Sequence, residues 1–352
     1  MISAAKIRSH SIGWFFFAVA LSVLLVSGCS SEQKLVRLSG ATMGTTWHVS
    51  YVPSDEGVQV EALQQEIDAI LAAVNRSMST YLADSEISSV NAAPLGQWTT
   101  VSDEFYFVLT TALSIGQHSQ GAYDVTIAPL VDRWGFGPTF SQRELPTGDE
   151  IKSLLSQVGQ EKLRLDASYS ALKKLDEVAL DFSSLAKGYA VDRVADWLGS
   201  QSIENYLVEV GGEIRLSGHS QRGDHWRVAI EQPKNGSRGV AQALSLTDVA
   251  VATSGDYRNF FERDGKRYSH SIDARTGYPV EHDLVSVTVV HERAMLADGW
   301  ATALIVLGSN QALELAQEQG LAVYFIQRQD DEYLNSHTEA FEPYLQRSMT
   351  RE

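Results

Sequence analysis

Tyr206-Leu207-Val208-Glu209-Val210-Gly211-Gly212-Glu213-Ile214-Arg215-Leu216 is a run rich in apolar and β-branched residues broken by two adjacent glycines, and it reads as a strand carrying a Gly-Gly bulge. Apolar alternation returns over residues 226–230, 244–253 and 284–290. Strands that follow one another directly predict an antiparallel sheet rather than a doubly wound parallel one. Helices flank this block. Val60, Leu63, Ile67, Ile70, Leu71, Val74 and Met78 recur at helical spacing and predict an amphipathic helix running to about Thr80. Further helices are expected over about 102–119, 151–158, up to Leu198 from the Ala186-Lys187-Gly188 segment, and 311–319. Short strands are expected at 175–181 and 321–327, and a strand with a glycine-flanked bulge at 35–53. The fold class is therefore α+β, with mostly antiparallel sheets flanked by helices.

Next outward lies the densest chemistry of the chain. Ser254-Gly255-Asp256-Tyr257-Arg258 leads through Asp264-Gly265, a strong hairpin signal, to His270-Ser271-Ile272-Asp273-Ala274-Arg275-Thr276-Gly277-Tyr278-Pro279. An imidazole, a carboxylate, a guanidinium and a hydroxyl sit within seven residues. Two readings stay open on these residues alone: a loop that holds a phosphate, or a hydrogen-bonded turn with His270 as an ordinary strand histidine.

Residues 181–192, Asp-Phe-Ser-Ser-Leu-Ala-Lys-Gly-Tyr-Ala-Val-Asp, place small residues before a helix start. The first amides of a helix have no internal partner, so such a start can bind an anion, although the segment is neither a Walker A sequence nor a G-x-G-x-x-G turn. In Ala297-Asp298-Gly299-Trp300-Ala301-Thr302, helical geometry puts Asp298 and Thr302 on one face. Both oxygens could reach one hard cation; alternatively Asp298 caps the helix and Thr302 bonds back to a carbonyl.

The chain begins with Lys6 and Arg8, then an apolar run ending in Val26-Ser27-Gly28-Cys29, the pattern of a secretory leader with a lipobox. The apolar run is shorter than the roughly 18 residues a spanning helix needs. Cys29 is the only cysteine of the 352 residues, so a chain acylated there has neither disulfide nor catalytic thiol. The formal charge is −16, and loss of Lys6 and Arg8 with the leader makes the remainder more acidic still. That balance argues against nucleic acid or an anionic membrane surface as partners. His291-Glu292 lacks the second histidine of a zinc protease, and no serine-hydrolase elbow occurs.

The Ser254–Tyr257 and His270–Pro279 segments together resemble the signature of the flavin transferase (ApbE) family, whose members move FMN from FAD onto a threonine or serine of a partner protein. The family usually has proline where this chain has Ala274, a change that removes a φ restraint but no functional group. Five more segments resemble the family's, in the family's order: Gly40 to Thr45; Met78 to Tyr81 with Ser85 to Ser88 and Asn91; Gly121 to Leu130; Asp181 to Asp192; and Ala297 to Thr302. The resemblance implies one compact ApbE-like, T-fold-related catalytic unit over 35–345, preceded by a leader (1–28) and a lipid-anchored tether (29–34) and followed by a tail (346–352). It implies flavin or nucleotide contacts at Met43, Tyr81, Ala122, Tyr123, Asp124, Asp181, Lys187 and Ile272. Magnesium would be held at Asp298, Thr302 and a carbonyl of the turn at Ser184.

For that reaction His270 is the candidate base, its ordinary pKa lying near neutrality, with Asp273 close enough in sequence to orient it. FAD is then substrate, Mg²⁺ the cofactor, and the acceptor a Thr or Ser in an exported subunit of a redox-driven ion-translocating complex. The enzyme would sit on a bacterial membrane through acylated Cys29, the inner membrane favoured, facing the periplasm. Two other outcomes share the site: a pyrophosphatase giving FMN and AMP, and a lipoprotein that binds FAD without chemistry.

Overall fold

The computed structural model describes residues 34–53, 59–139, 144–233, 239–255, 259–330 and 332–345. The expected leader, Cys29, the tail and the Asp256-Tyr257-Arg258 segment lie outside the described residues. No helix among the described residues is long and apolar enough to cross a membrane.

In chain order the strands are β1 (Val36–Thr42), β2 (Thr45–Tyr51), β3 (Trp98–Thr100), β4 (Leu163–Asp166), β5 (Ala171–Lys174), β6 (Tyr206–Val210), β7 (Glu213–Ser217), β8 (Trp226–Gln232), β9 (Gly239–Leu246), β10 (Val249–Gly255), β11 (Phe260–Arg263), β12 (Lys266–Ser269), β13 (Ile272–Asp273), β14 (Tyr278–Pro279), β15 (Leu284–His291), β16 (Ala322–Gln329) and β17 (Glu332–His337). The helices are α1 (Val60–Met78), α2 (Glu86–Ala92), α3 (Asp103–His118), α4 (Ala128–Arg133), α5 (Gly148–Leu155), α6 (Ala186–Ser200), α7 (Ala294–Leu307) and α8 (Ser309–Glu318).

One eight-stranded sheet, in the order β1-β2-β6-β7-β10-β15-β16-β17, organises the molecule. Each of its adjacent strand pairs is antiparallel, which bears out the expected α+β class. Central β15 is buried on both faces, and its run Leu284 to Val290 is accordingly almost wholly apolar. One face packs on α1, α3, α6, α7 and α8 through residues such as Ile67, Phe105, Val191 and Leu304. The other is covered by the β8–β9 hairpin and the turn holding Phe341. A smaller cluster of Leu130, Trp134, Ile151 and Ile272, with Phe261 and Tyr268 packed against it, joins α4, α5 and the β11–β12 hairpin.

Two expected bulges are hairpins instead. The Met43-Gly44 pair reverses the chain between β1 and β2, with φ of 48° and 71°. Gly211-Gly212 does the same between β6 and β7, with φ of 62° and 110°. Positive φ at both central residues matches the twist of the flanking strands, so two residues suffice to close each turn. The backbone donor of Gly211 reaches the Thr46 carbonyl at 3.1 Å, which sets the two turns side by side at one end of the sheet.

Residues 175–181 form no strand either. Only an isolated bridge joins Ala179 to Ile127, and the Asn91 side chain serves Leu180, donating to its carbonyl at 2.9 Å and accepting from its N–H at 2.7 Å. The expected strand over 244–253 is two, β9 and β10, turning at Asp248, where φ is 55°. The helices at 60–78, 103–118 and 309–318 fall where periodicity put them.

Candidate functional site

The site is built where the first turns of α6 and α7 meet. Helix α6 has no side-chain cap of its own. The Gly188 amide, in its first turn, instead donates to Asp298 Oδ2 of α7 at 3.0 Å. Helix α7 likewise has no local cap, and Asp192 of α6 accepts from the Ala294 and Met295 amides, both at 3.0 Å. Asp298 is thus not the cap of its own helix; the caps are exchanged between helices. The approach is close enough that a Cβ on Gly188 would lie 2.3 Å from the Ala294 carbonyl oxygen. Burial raises the pKa of both carboxylates, while the amides and the neighbouring cations pull the other way.

Lys187 extends from this junction between two acids. Its Nζ pairs with Glu213 Oε1 at 2.6 Å and stands 4.0 Å from Asp298 Oδ1. Burial disfavours the ammonium, but Asp298 and Glu213 outweigh it and raise the pKa to about 12. Glu213 is only 3% exposed, and burial together with Asp298 raises its pKa against the pull of the paired Lys187 ammonium. One turn beyond Asp298, Thr302 Oγ1 lies 3.2 Å from the Ser254 hydroxyl at the end of β10.

A second layer comes from the segments before α4 and α6. The Tyr123 hydroxyl meets the Ser184 hydroxyl at 2.9 Å, and burial raises the phenol's pKa, with Asp298, Asp181 and Asp124 adding to the rise. Asp181 accepts from the Ser183 amide at 2.7 Å. Asp124 is turned toward its own loop, accepting from the Thr126 amide at 2.8 Å and hydroxyl at 2.7 Å and from the Gln160 amide at 3.1 Å. The Ala122 carbonyl accepts from Ala274 at 3.4 Å, which ties this loop to the 270–279 turn. Tyr81 is 66% exposed and donates its hydroxyl to the Phe136 carbonyl at 2.9 Å. Burial and then the field of Asp181 raise its pKa. Met43 holds a left-handed φ at the β1–β2 turn, a conformation uncommon outside Gly, Asn and Asp.

His270 follows the β11–β12 hairpin. Its Nδ1 lies 3.0 Å from the Asn259 carbonyl and its ring meets Phe136 edge-on. A carbonyl only accepts, so Nδ1 carries the proton of the neutral ring and Nε2 presents a lone pair. Burial lowers the pKa, and the positive charge of Lys187 lowers it further. Asp273 does not orient this ring: its carboxylate grips the Arg275 guanidinium at 2.7 Å and 3.0 Å and the Arg275 amide at 2.8 Å. An arginine two residues away outcompetes the histidine for a carboxylate in a tight turn.

A family model described as the ApbE family matches residues 43–325. The chain belongs to the ApbE family. FAD:protein FMN transferase of Vibrio cholerae is 42% identical over 324 residues, covering 92% of this chain and 97% of that protein. The protein of the same name from Haemophilus influenzae is 42% identical over 332 residues, with 92% and 95% covered. Among solved structures, the flavin transferase ApbE of Vibrio cholerae superposes with a TM-score of 0.83 at 41% identity, covering 89% of this chain and 99% of that one.

In this ApbE chain the fold gathers Lys187, Asp298, Thr302, Ser184, Tyr123 and Asp181 around the α6–α7 junction, and His270 lies close enough to feel the Lys187 charge. Ile272 is buried in the smaller cluster behind the loop. Two polar neighbours, Glu213 and Ser254, escape sequence reasoning as site residues. Glu213 follows a turn two residues long, and only the pairing of Val210 with Glu213 shows that it faces inward.

Among the described residues Asp298 Oδ2 takes the Gly188 amide while Oδ1 stands 4.0 Å from Lys187; with the Thr302 hydroxyl one helical turn on and the Ser254 hydroxyl against it, this hard-oxygen donor set suits a magnesium ion.

Proposed function

We propose that this ApbE-family chain is a magnesium-dependent FAD:protein FMN transferase acting on a Thr or Ser hydroxyl. The observation that carries the proposal is the grouping of the Lys187 cation, the Asp298 oxygen not used by the Gly188 amide, and an imidazole with an unprotonated Nε2 near enough to feel the Lys187 charge. Transfer of FMN needs each of them. The acceptor oxygen bonds to the flavin-side phosphorus, the bond from that phosphorus to the bridging oxygen breaks, and AMP leaves. Negative charge grows on both phosphates in that exchange, and the proton of the attacking hydroxyl must go elsewhere.

Lys187 and the α6 amides would bind the phosphates, and Nε2 of His270 would take the proton. Tyr81, on the Asp181 side of the site, and Met43 would flank the flavin. Asp298 and Thr302, with the turn at Ser184, would hold Mg²⁺, which supplies charge neutralisation and a template for the pyrophosphate oxygens. The protein acceptor would be an exported subunit of a redox-driven, ion-translocating complex, met at the periplasmic face of the membrane that holds acylated Cys29.

The deciding experiment is intact-mass analysis of an acceptor domain incubated with this protein and FAD, with Mg²⁺ or with EDTA. A gain of one FMN only with Mg²⁺ is the expected result. AMP released with an unmodified acceptor would replace the transferase with a pyrophosphatase, and intact FAD in the presence of a competent acceptor would leave only binding.

A further inference from the structure

Lys187 poses a problem for the site it belongs to. An ammonium is itself a cation, and a flexible four-carbon stem brings this one within 4.0 Å of the same Asp298 oxygen that a metal would need. A small rotation would complete a direct ion pair there, with the lysine in the metal's place.

What prevents this is on the neighbouring hairpin. Glu213 Oε1 takes the ammonium at 2.6 Å, the shorter of its two acidic contacts. The turn before it runs close along the stem, and glycine leaves room for it: a Cβ on Gly211 would lie 3.1 Å from Lys187 Cδ. Only one oxygen of Glu213 holds the ammonium. The other, Oε2, is buried with no hydrogen-bond partner among the described residues, although a buried polar oxygen is ordinarily satisfied. Glu213 stands on the inward face begun by Val210, where an apolar residue would continue the core. The residue's placement is explained by Lys187.

We infer that Glu213 is a positioning residue that draws the Lys187 ammonium away from Asp298 and so keeps that carboxylate open for a divalent cation. The inference rests on the reading of Asp298 as a metal ligand. Its mark is competition: without a properly placed Glu213, lysine and metal contend for one oxygen.

The test uses Mn²⁺ as the probe, titrated by electron paramagnetic resonance into the FAD-free protein, so that catalysis does not enter. Glu213→Asp is the informative variant, because it retains the charge and retracts the carboxylate by one methylene. It is expected to weaken Mn²⁺ binding about tenfold or more, the usual range for a residue supporting a metal ligand. Glu213→Gln should do at least the same, and adding Lys187→Met to either variant should restore binding, because the competitor is gone. A metal-free crystal structure of Glu213→Asp should show the ammonium within about 3 Å of Asp298.

Wild-type Mn²⁺ affinity in Glu213→Asp overturns the inference and leaves the metal site standing. So does a weakened Glu213→Asp that Lys187→Met fails to restore. Absence of Mn²⁺ binding in the wild-type protein overturns both. If Glu213→Gln does not fold, as judged by thermal unfolding, the aspartate variant carries the comparison alone.

Discussion

Asp192 and Asp298 stand on different helices; Asp192 accepts from two backbone amides, and Asp298 from one, at the start of the other's helix. Neither helix therefore has a complete first turn without its partner. The exchange fixes their mutual position, and with it the spacing between Lys187 and Asp298.

Asp192 is fully buried and also faces Arg215 at 3.0 Å and Arg293 at 3.3 Å. Asp192→Ala leaves two amides and two cations short of a partner, and should cost about 3 kcal/mol of stability in urea unfolding. Asp196 binds the same two arginines but is largely exposed, so Asp196→Ala should cost less than about 1 kcal/mol. Equal losses would deny Asp192 its role at the junction.

Gly188 tests the close approach with a sign. Glycine to alanine in a helix interior ordinarily gains about 1 kcal/mol. Here the new Cβ would meet a backbone carbonyl at 2.3 Å, which cannot swing away as a side chain could. Gly188→Ala should therefore lower the melting temperature, at a cost of about 1–3 kcal/mol, and weaken Mn²⁺ binding with it. A more stable variant would mean that the helices are free to move apart.

His270 sets the acid side of the pH profile. The base works only unprotonated, and both burial and Lys187 depress its pKa. Transfer should hold as pH falls through the ordinary imidazole value of about 6.5 and decline only below it. The measurement is kcat/KM across pH, with FAD saturation followed separately. His270→Ala should retain FAD binding and lose roughly 10²–10⁴-fold in transfer. A profile that falls above pH 6.5, or transfer unchanged in the alanine variant, would assign the role of base to another group.

The proposed acylation of Cys29 makes a cellular prediction. Cys29→Ser should shift the protein from the membrane to the soluble fraction and abolish incorporation of labelled palmitate. Membrane association that survives the substitution would point to an uncleaved apolar anchor.

Legibility in the sequence followed the range of the interactions. Asp298 and Thr302 could be paired from spacing because a helix turns by a fixed angle, and the Asp264-Gly265 hairpin because its turn is local. Residues 175–181 misled because their apolar character suggests a strand, while their backbone partners are scattered: Lys162 for Leu175, an isolated bridge to Ile127 for Ala179, the Asn91 side chain for Leu180 and Val125 for Asp181. Asp273 misled for the opposite reason: proximity to His270 was visible, but the stronger claim of Arg275 depends on the shape of the turn. The exchange of caps could not be read at all, since nothing in either segment says that Asp192 will meet Ala294.

The Gly211-Gly212 turn does more than reverse the chain. Side chains alternate along a strand, so which of Glu213 and Ile214 faces Lys187 depends on whether the number of residues after Val210 is even or odd. With two glycines, the acid points to the helices. If the turn keeps its two-residue length, a residue inserted before Glu213 takes the place opposite Val210 and carries the carboxylate to the other face, with no substitution anywhere. The charge beside Lys187 is thus written into the chain as a parity, and loop length there is as much a chemical specification as the glutamate itself.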